Sequence, residues 1–216
     1  MLNFAEELLL VMLDERTGEF GDPRPIVFEH ALAGAVLMDL ALQNRIDTDL
    51  QDLFVIRPDP TGDPVLDLVL ERIGTDGQTR PTRHWVQVIG GMGGEIREAA
   101  LARLVAKGVL RCEQQRFLWV FSSRRYPTLD GAGRKEVKAR LRELLLGDDV
   151  PDPRDVVLVS LLSACRLFGE IFDEAEVAKA QPRIRAIARM DLIGQAITAI
   201  IREIEHEVSL ALGHLG

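Results

Sequence analysis

The stretch from Gly90 to Tyr126 constrains the fold more than any other part of the chain. It opens with Gly90-Gly91-Met92-Gly93-Gly94 and runs into a segment with Ile96, Ala100, Leu101, Leu104 and Val105 at helical spacing. Lys107-Gly108 follows, a basic last turn and a glycine that together end a helix. Val109 to Cys112, a polar turn at Glu113-Gln114-Gln115-Arg116, and the apolar run Phe117-Leu118-Trp119-Val120-Phe121 then read as strand, turn and strand. A helix feeding directly into a hairpin is the outline of a winged helix, here over residues 95–122. The second strand does not alternate, so its five apolar residues need cover on both faces. That cover comes from the chain itself, from a partner chain or from a membrane.

The rest of the chain reads as helices. Residues 3–13 place Phe4, Leu8, Val11 and Met12 on one face, widened by Leu9, Leu10 and Leu13, and Asn3 with Glu6 makes a capping box. Residues 26–43 form a central core helix whose Ala31, Ala33, Gly34 and Ala35 let another helix approach closely. Residues 44–58 are a short strand pair or an irregular connector. Further helices are expected over 65–73, from a Thr82 cap through Ile89, over 95–107, 134–146, 155–172, 173–180, 182–189 and 191–211. Pro182 suits the first position of its helix. Arg134, Lys135, Lys138, Arg140 and Arg142 are expected mostly on the outside. The expected fold is mainly α: a single compact multi-helix domain over 1–216 with a projecting β-hairpin.

Charge and cysteine content narrow the function. A net charge of −8 opposes sequence-independent DNA binding, which depends on Lys and Arg neutralising phosphates. Cys112 and Cys165 are the only cysteines, so a disulfide framework is not expected and a reducing cytoplasm fits. Met1-Leu2-Asn3-Phe4-Ala5-Glu6-Glu7 has neither the basic start nor the cleavage site of a signal peptide. No run of about 18 uncharged apolar residues is present, so any membrane contact is expected to be peripheral.

Two local signals carry chemistry. Glycines ahead of a helix let backbone N–H groups converge on one point, and a helix N-terminus carries about half a positive charge. Gly93, Gly94 and Arg97 there could receive a phosphate, with Arg97 supplying a fork of donors. The alternative is a connector whose Glu95 and Glu98 already complement the helix dipole. The second signal is the hairpin. Arg111, Arg116, Arg124 and Arg125 flank Phe117, Leu118, Trp119 and Phe121, a pattern that suits an anionic membrane surface. The alternative is packing on the chain's own core or on a second copy. Arg24, in the rigid Gly21–Pro25 loop, and Arg57 are further phosphate candidates, or else solvated loop residues. No catalytic set is legible. Glu203 and His206 have the i, i+3 spacing of a metal helix but no second Glu-x-x-His, so a charged helix face is expected. Cys112 is expected to fill a strand position and Cys165 a helix core. No metal or cofactor is expected.

Several stretches together resemble the Golgi phosphoprotein 3 family, in the manner of a bacterial member. They are Leu8-Leu9-Leu10, Ala31 to Leu42, Asp59-Pro60-Thr61-Gly62-Asp63 with Leu66-Asp67, and Leu104 to Leu110 before the hairpin. The resemblance covers most of residues 2–130 and, more loosely, the helical remainder. It implies a mostly helical domain with a projecting hairpin. It also implies a peripheral membrane protein that reads phosphatidylinositol 4-phosphate, in a family associated with Golgi trafficking and glycosyltransferases. The eukaryotic lipid site uses one Trp and three Arg. Arg97 matches one of those arginines, Gly94 and Ala33 stand at the other two, and the tryptophan falls near Pro23-Arg24-Pro25.

The expected function is therefore a non-enzymatic, peripherally membrane-associated cytoplasmic protein. Its partners would be an anionic phospholipid headgroup and a membrane surface. The competing readings are a winged-helix nucleic-acid-binding regulator, and a structural scaffold that forms homo-oligomers through the hairpin. Glu95, Glu98 and the apolar wing are poor partners for a duplex, so no nucleic acid is expected.

Overall fold

The structure is a computed structural model describing residues 1–14, 17–20, 25–49, 51–117, 121–129, 132–190 and 192–213. Backbone alone is described at 25, 114–117, 121–124, 132, 192–196, 205, 208–209 and 211–213. The order is α1 (Phe4–Met12), α2 (Pro25–Leu42), β1 (Ile46–Thr48), β2 (Asp52–Val55), α3 (Pro64–Asp76), β3 (Arg80–Pro81), α4 (Thr82–Gly90) and α5 (Gly93–Ala106). It continues with β4 (Glu113–Phe117), β5 (Phe121–Arg125), α6 (Ala132–Leu146), α7 (Pro153–Ala164), a 3-10 turn (Leu167–Glu170), α8 (Glu174–Ala188) and α9 (Leu192–Gly213). The mainly helical expectation holds.

The centre of the fold is α2. Its 18 residues span about 27 Å at 1.5 Å per residue. It packs against α1, α3, α4, α5, α7 and α9. The small residues on α2 allow this. A side chain at Gly34 would begin 3.0 Å from both Ile197 and Ile201 of α9. The capping box starts α1: Asn3 Oδ1 accepts the Glu6 N–H at 2.8 Å and Glu6 Oε2 accepts the Asn3 N–H at 2.7 Å. All nine residues of α1 are buried, so the helix is enclosed on every side.

Strands β1 and β2 pair antiparallel with Asp47 opposite Phe54, and β3 adds to the far side of β2 with Leu53 opposite Arg80. This three-stranded sheet is the strand pair expected in 44–58, extended by Arg80 and Pro81.

Five expectations need correction. Residues 113–116 are not a turn. They form the first hairpin strand, with Glu113 opposite Arg125 and Phe117 opposite Phe121. The register sets Phe117 and Phe121 opposite each other at the ends of the two strands, so residues 117–121 are not one continuous strand. Thr82 does not cap α4; Pro81 precedes it and Thr82 is its buried first residue. Pro182 lies inside α8, which is continuous. A capping box from Asp173 and Glu176, with Ala180, Ile184 and Ile187 buried, holds the helix on both sides of the proline. The 155–172 helix stops at Ala164 because Arg166 adopts a left-handed φ of 56°. Finally, Arg134 is buried rather than outside and donates to the Val11 carbonyl at 3.3 Å, whereas Lys135 is exposed and the ion-paired Arg140 and Arg142 side chains stay 38% and 41% exposed, as expected.

Candidate functional site

Only Gly91 and Met92 separate α4 from α5. The Gly91 N–H donates to Gln87 O at 3.1 Å and the Met92 N–H to Ile89 O at 2.9 Å, so the turn is tight. Two of its glycines are required by packing on the first turns of α2. A Cβ on Gly90 would lie 2.4 Å from His30 Cδ2, and one on Gly93 would lie 2.3 Å from Glu29 Cβ. Gly94 differs: no atom lies within 4 Å of its Cβ position. His30 is held in place by its own helix. Its Nδ1 donates to Ile26 O at 2.8 Å, because a carbonyl can only accept.

The glycine run is thus partly helical, and α5 begins two residues before the expected start. Arg97 consequently stands one full turn into the helix rather than at its first residues. It is half-buried, and among the described residues it makes no hydrogen bond or ion pair. Met92 supplies no side-chain cap to α5. Glu95 and Glu98 are exposed. Ala33, which the resemblance alone sets opposite another arginine, is fully buried in the core.

The other expected site residues are placed unevenly. Arg24, Leu118 and Trp119 lie outside the described residues. Arg116, Phe117 and Phe121 occupy the paired strand ends next to residues 118–120, with only their backbone described. At the base of the hairpin, Arg125 pairs with Glu19 at 2.9 Å and Arg111 with Glu113 at 3.0 Å. Arg57 is not a free phosphate ligand. It donates to the carbonyls of Asn44 at 3.1 Å and Gln43 at 2.5 Å, bracing the end of α2. Cys112 is exposed just ahead of β4, and Cys165 is the buried C-cap of α7. Glu203 pairs with Arg83. Among the described residues no group of three or more His, Cys, Asp or Glu could hold a metal ion. Among the same residues, no helix is long and apolar enough to cross a membrane.

What sequence reasoning missed is a bracket of charge around α1. Glu6, fully buried, accepts from Lys107 Nζ at 2.7 Å and Arg103 Nε at 2.9 Å, and Arg103 also meets Asp63. Asp63 caps α3 through the Val65 N–H at 3.0 Å and accepts from Asn3 Nδ2 at 3.1 Å. Asp67 holds the loop before it, taking the Thr61 N–H at 2.6 Å and the Thr61 hydroxyl at 2.7 Å. The Asp59–Asp67 stretch is therefore a clasp between α1, α3 and α5. Asp63 before Pro64 is a legible cap signal; the partners more than 90 positions away leave no trace in local spacing.

The fold and this site define a class: a mainly helical protein built on one central helix, with an uncapped helix start and a hairpin following in sequence. Comparison with known proteins gives that class its family. The profile described as Golgi phosphoprotein 3 (GPP34) matches residues 4–204, and the chain belongs to this family. Among its relatives is the Vacuolar protein sorting-associated protein 74 of Eremothecium gossypii, 28% identical over 180 residues. That alignment covers 73% of this chain and 51% of the relative, so the chain spans about half the length of the curated protein it matches.

Proposed function

We propose that this chain is a binding protein, not an enzyme, that attaches peripherally to membranes by gripping anionic, phosphate-bearing lipid headgroups of the phosphatidylinositol 4-phosphate type. Family membership over residues 4–204 is the observation that carries this reading. Local geometry supports it. The start of α5 offers backbone N–H groups of Gly93 and Gly94 with no side-chain cap, and Arg97 has no partner among the described residues. A phosphate there would meet amide donors, the positive end of a helix dipole and a guanidinium fork. Arg24 is the further candidate ligand. The apolar end of the hairpin, with Phe117, Leu118, Trp119, Phe121 and the adjacent Arg116, would enter the interface, each buried apolar side chain contributing about 1.5–3 kcal/mol. Reversible attachment needs only a few such contacts.

Sedimentation with liposomes tests this. The protein should pellet with vesicles containing phosphatidylinositol 4-phosphate and stay in the supernatant with neutral phosphatidylcholine vesicles. Equal partition in both, or a shift of duplex DNA at low salt without liposome binding, would reject the reading.

A further inference from the structure

Beneath the first turn of α1 lies a second charged cluster, separate from the Glu6 clasp. Asp39 of α2 accepts the Phe4 N–H at 2.6 Å and meets Arg154 of α7 at 3.2 Å. Glu7 of α1 meets Arg140 of α6 at 3.1 Å and Arg154 at 3.7 Å. Asp155 of α7 meets Arg140 at 3.2 Å. The side chains of Glu7, Asp39 and Asp155 are 4%, 3% and 12% exposed, so water does little to offset their charge. Arg154 is further committed to the Leu2 carbonyl at 2.9 Å and to the face of the Phe4 ring, 4.3 Å from its centroid.

The charges do not balance. Among the described residues, Glu7, Asp39 and Asp155 share Arg140 and Arg154, and Asp152, the N-cap of α7, adds a further negative charge beside Asp155. Among the same residues the neighbouring groups do not make up the difference. Across α1, Glu6 and Asp63 are matched by Arg103 and Lys107. On the α4 and α9 side of α2, Arg83 is taken by Glu203 and Glu207. The geometry points to a proton-uptake site where α1, α2 and α7 meet: one proton entering the Glu7–Asp39–Asp155 cluster neutralises its excess charge, so the fold holds better at mildly acidic than at neutral pH.

The electrostatics agree in direction. Burial is the first cause at all three carboxyls. It pushes Asp39 from 3.8 up to about 6, and raises Glu7 and Asp155 as well. A carboxyl whose pKa is higher in the folded state binds its proton preferentially there. Stability from this cluster is therefore complete below the unfolded-state value and is lost as pH rises through the folded one. The proton goes onto a carboxylate oxygen and nothing else changes. This inference stands apart from the headgroup reading, since it involves neither Arg97 nor the hairpin.

Carboxyl-carbon NMR of the wild-type protein is the primary test. The Asp39 signal should titrate with a midpoint near 6; a midpoint near 3.8 overturns the inference. Urea unfolding is the second test. The wild type should unfold at higher urea at pH 5.5 than at pH 7.5, and Asp39→Asn should lose most of that difference. An undiminished difference in Asp39→Asn, or none in the wild type, overturns it. If Asp39→Asn does not fold, Asp155→Asn takes its place with the same expectation, and the NMR titration needs no variant.

Discussion

Lys107 Nζ sits 2.7 Å from Oε2 of Glu6, a carboxylate with no solvent exposure, although the two residues are 101 positions apart in the chain. With Arg103 on the other oxygen, this pair ties the first turn of α1 to the last turn of α5. A buried carboxylate is tolerated only with such partners. Glu6→Ala removes the capping-box acceptor as well and leaves two cations facing the core. It should cost about 3 kcal/mol, the scale of breaking a buried pair. Urea unfolding monitored at Trp85 would report this; a loss within experimental error would mean that α1 is seated by its apolar face alone.

The glycines between α4 and α5 should separate by role. Gly90→Ala and Gly93→Ala push a methyl into His30 and Glu29 and should each destabilise by about 1–3 kcal/mol. Gly94→Ala meets open space at a helical position and should be neutral or stabilising by up to about 1 kcal/mol. Thermal unfolding of the three variants side by side checks the order.

Pro182 sits exposed in the interior of α8, where it removes a backbone donor without contributing to the buried face. Pro182→Ala should therefore stabilise the protein by about 1–2 kcal/mol, after allowing for the extra freedom of the unfolded chain. A loss of stability would show that the proline shapes the helix to its seat on α6 and α7.

The pair between Arg142 and Glu176 holds the Glu176 carboxyl below its usual 4.5, the side-chain hydrogen bond being the largest cause. A depressed carboxyl contributes stability above the unfolded-state value and loses it as pH falls through the folded one. Arg142→Met should accordingly move the acid-unfolding midpoint to higher pH. Circular dichroism between pH 5 and 2 would show it, and an unmoved midpoint would mean the pair adds nothing to the fold.

Much of the fold was legible because it is locally encoded. The Asn3–Glu6 box, the apolar faces of the helices and the small residues of α2 each announce themselves within a few positions. The hairpin register was not, because a two-stranded ribbon tolerates Gln114 and Gln115 as readily as Val109 and Leu110. The end of α7 was hidden by Leu167, Phe168, Ile171 and Phe172, which continue the apolar pattern past a left-handed Arg166. The candidate site was half legible. Arg97 and the glycines could be named from the sequence. That Gly90 and Gly93 serve contact with His30 and Glu29 could not, since those contacts join segments about 60 residues apart.

Gly94 offers a gain-of-function variant. Its Cβ position is open, and family relatives carry an arginine there by resemblance. Gly94→Arg should add a second guanidinium beside Arg97 and tighten binding to phosphatidylinositol 4-phosphate liposomes by about tenfold, the worth of one charge-assisted hydrogen bond. Surface plasmon resonance on captured liposomes would measure it; unchanged affinity would mean that the phosphate sits elsewhere.

The most direct measurement is the dissociation constant of the wild type and Arg97→Ala on liposomes containing phosphatidylinositol 4-phosphate, taken side by side. Arg97→Ala should bind at least about tenfold more weakly while unfolding at the same temperature. Equal binding by the two proteins, or no binding by the wild type, would contradict a headgroup site at the start of α5.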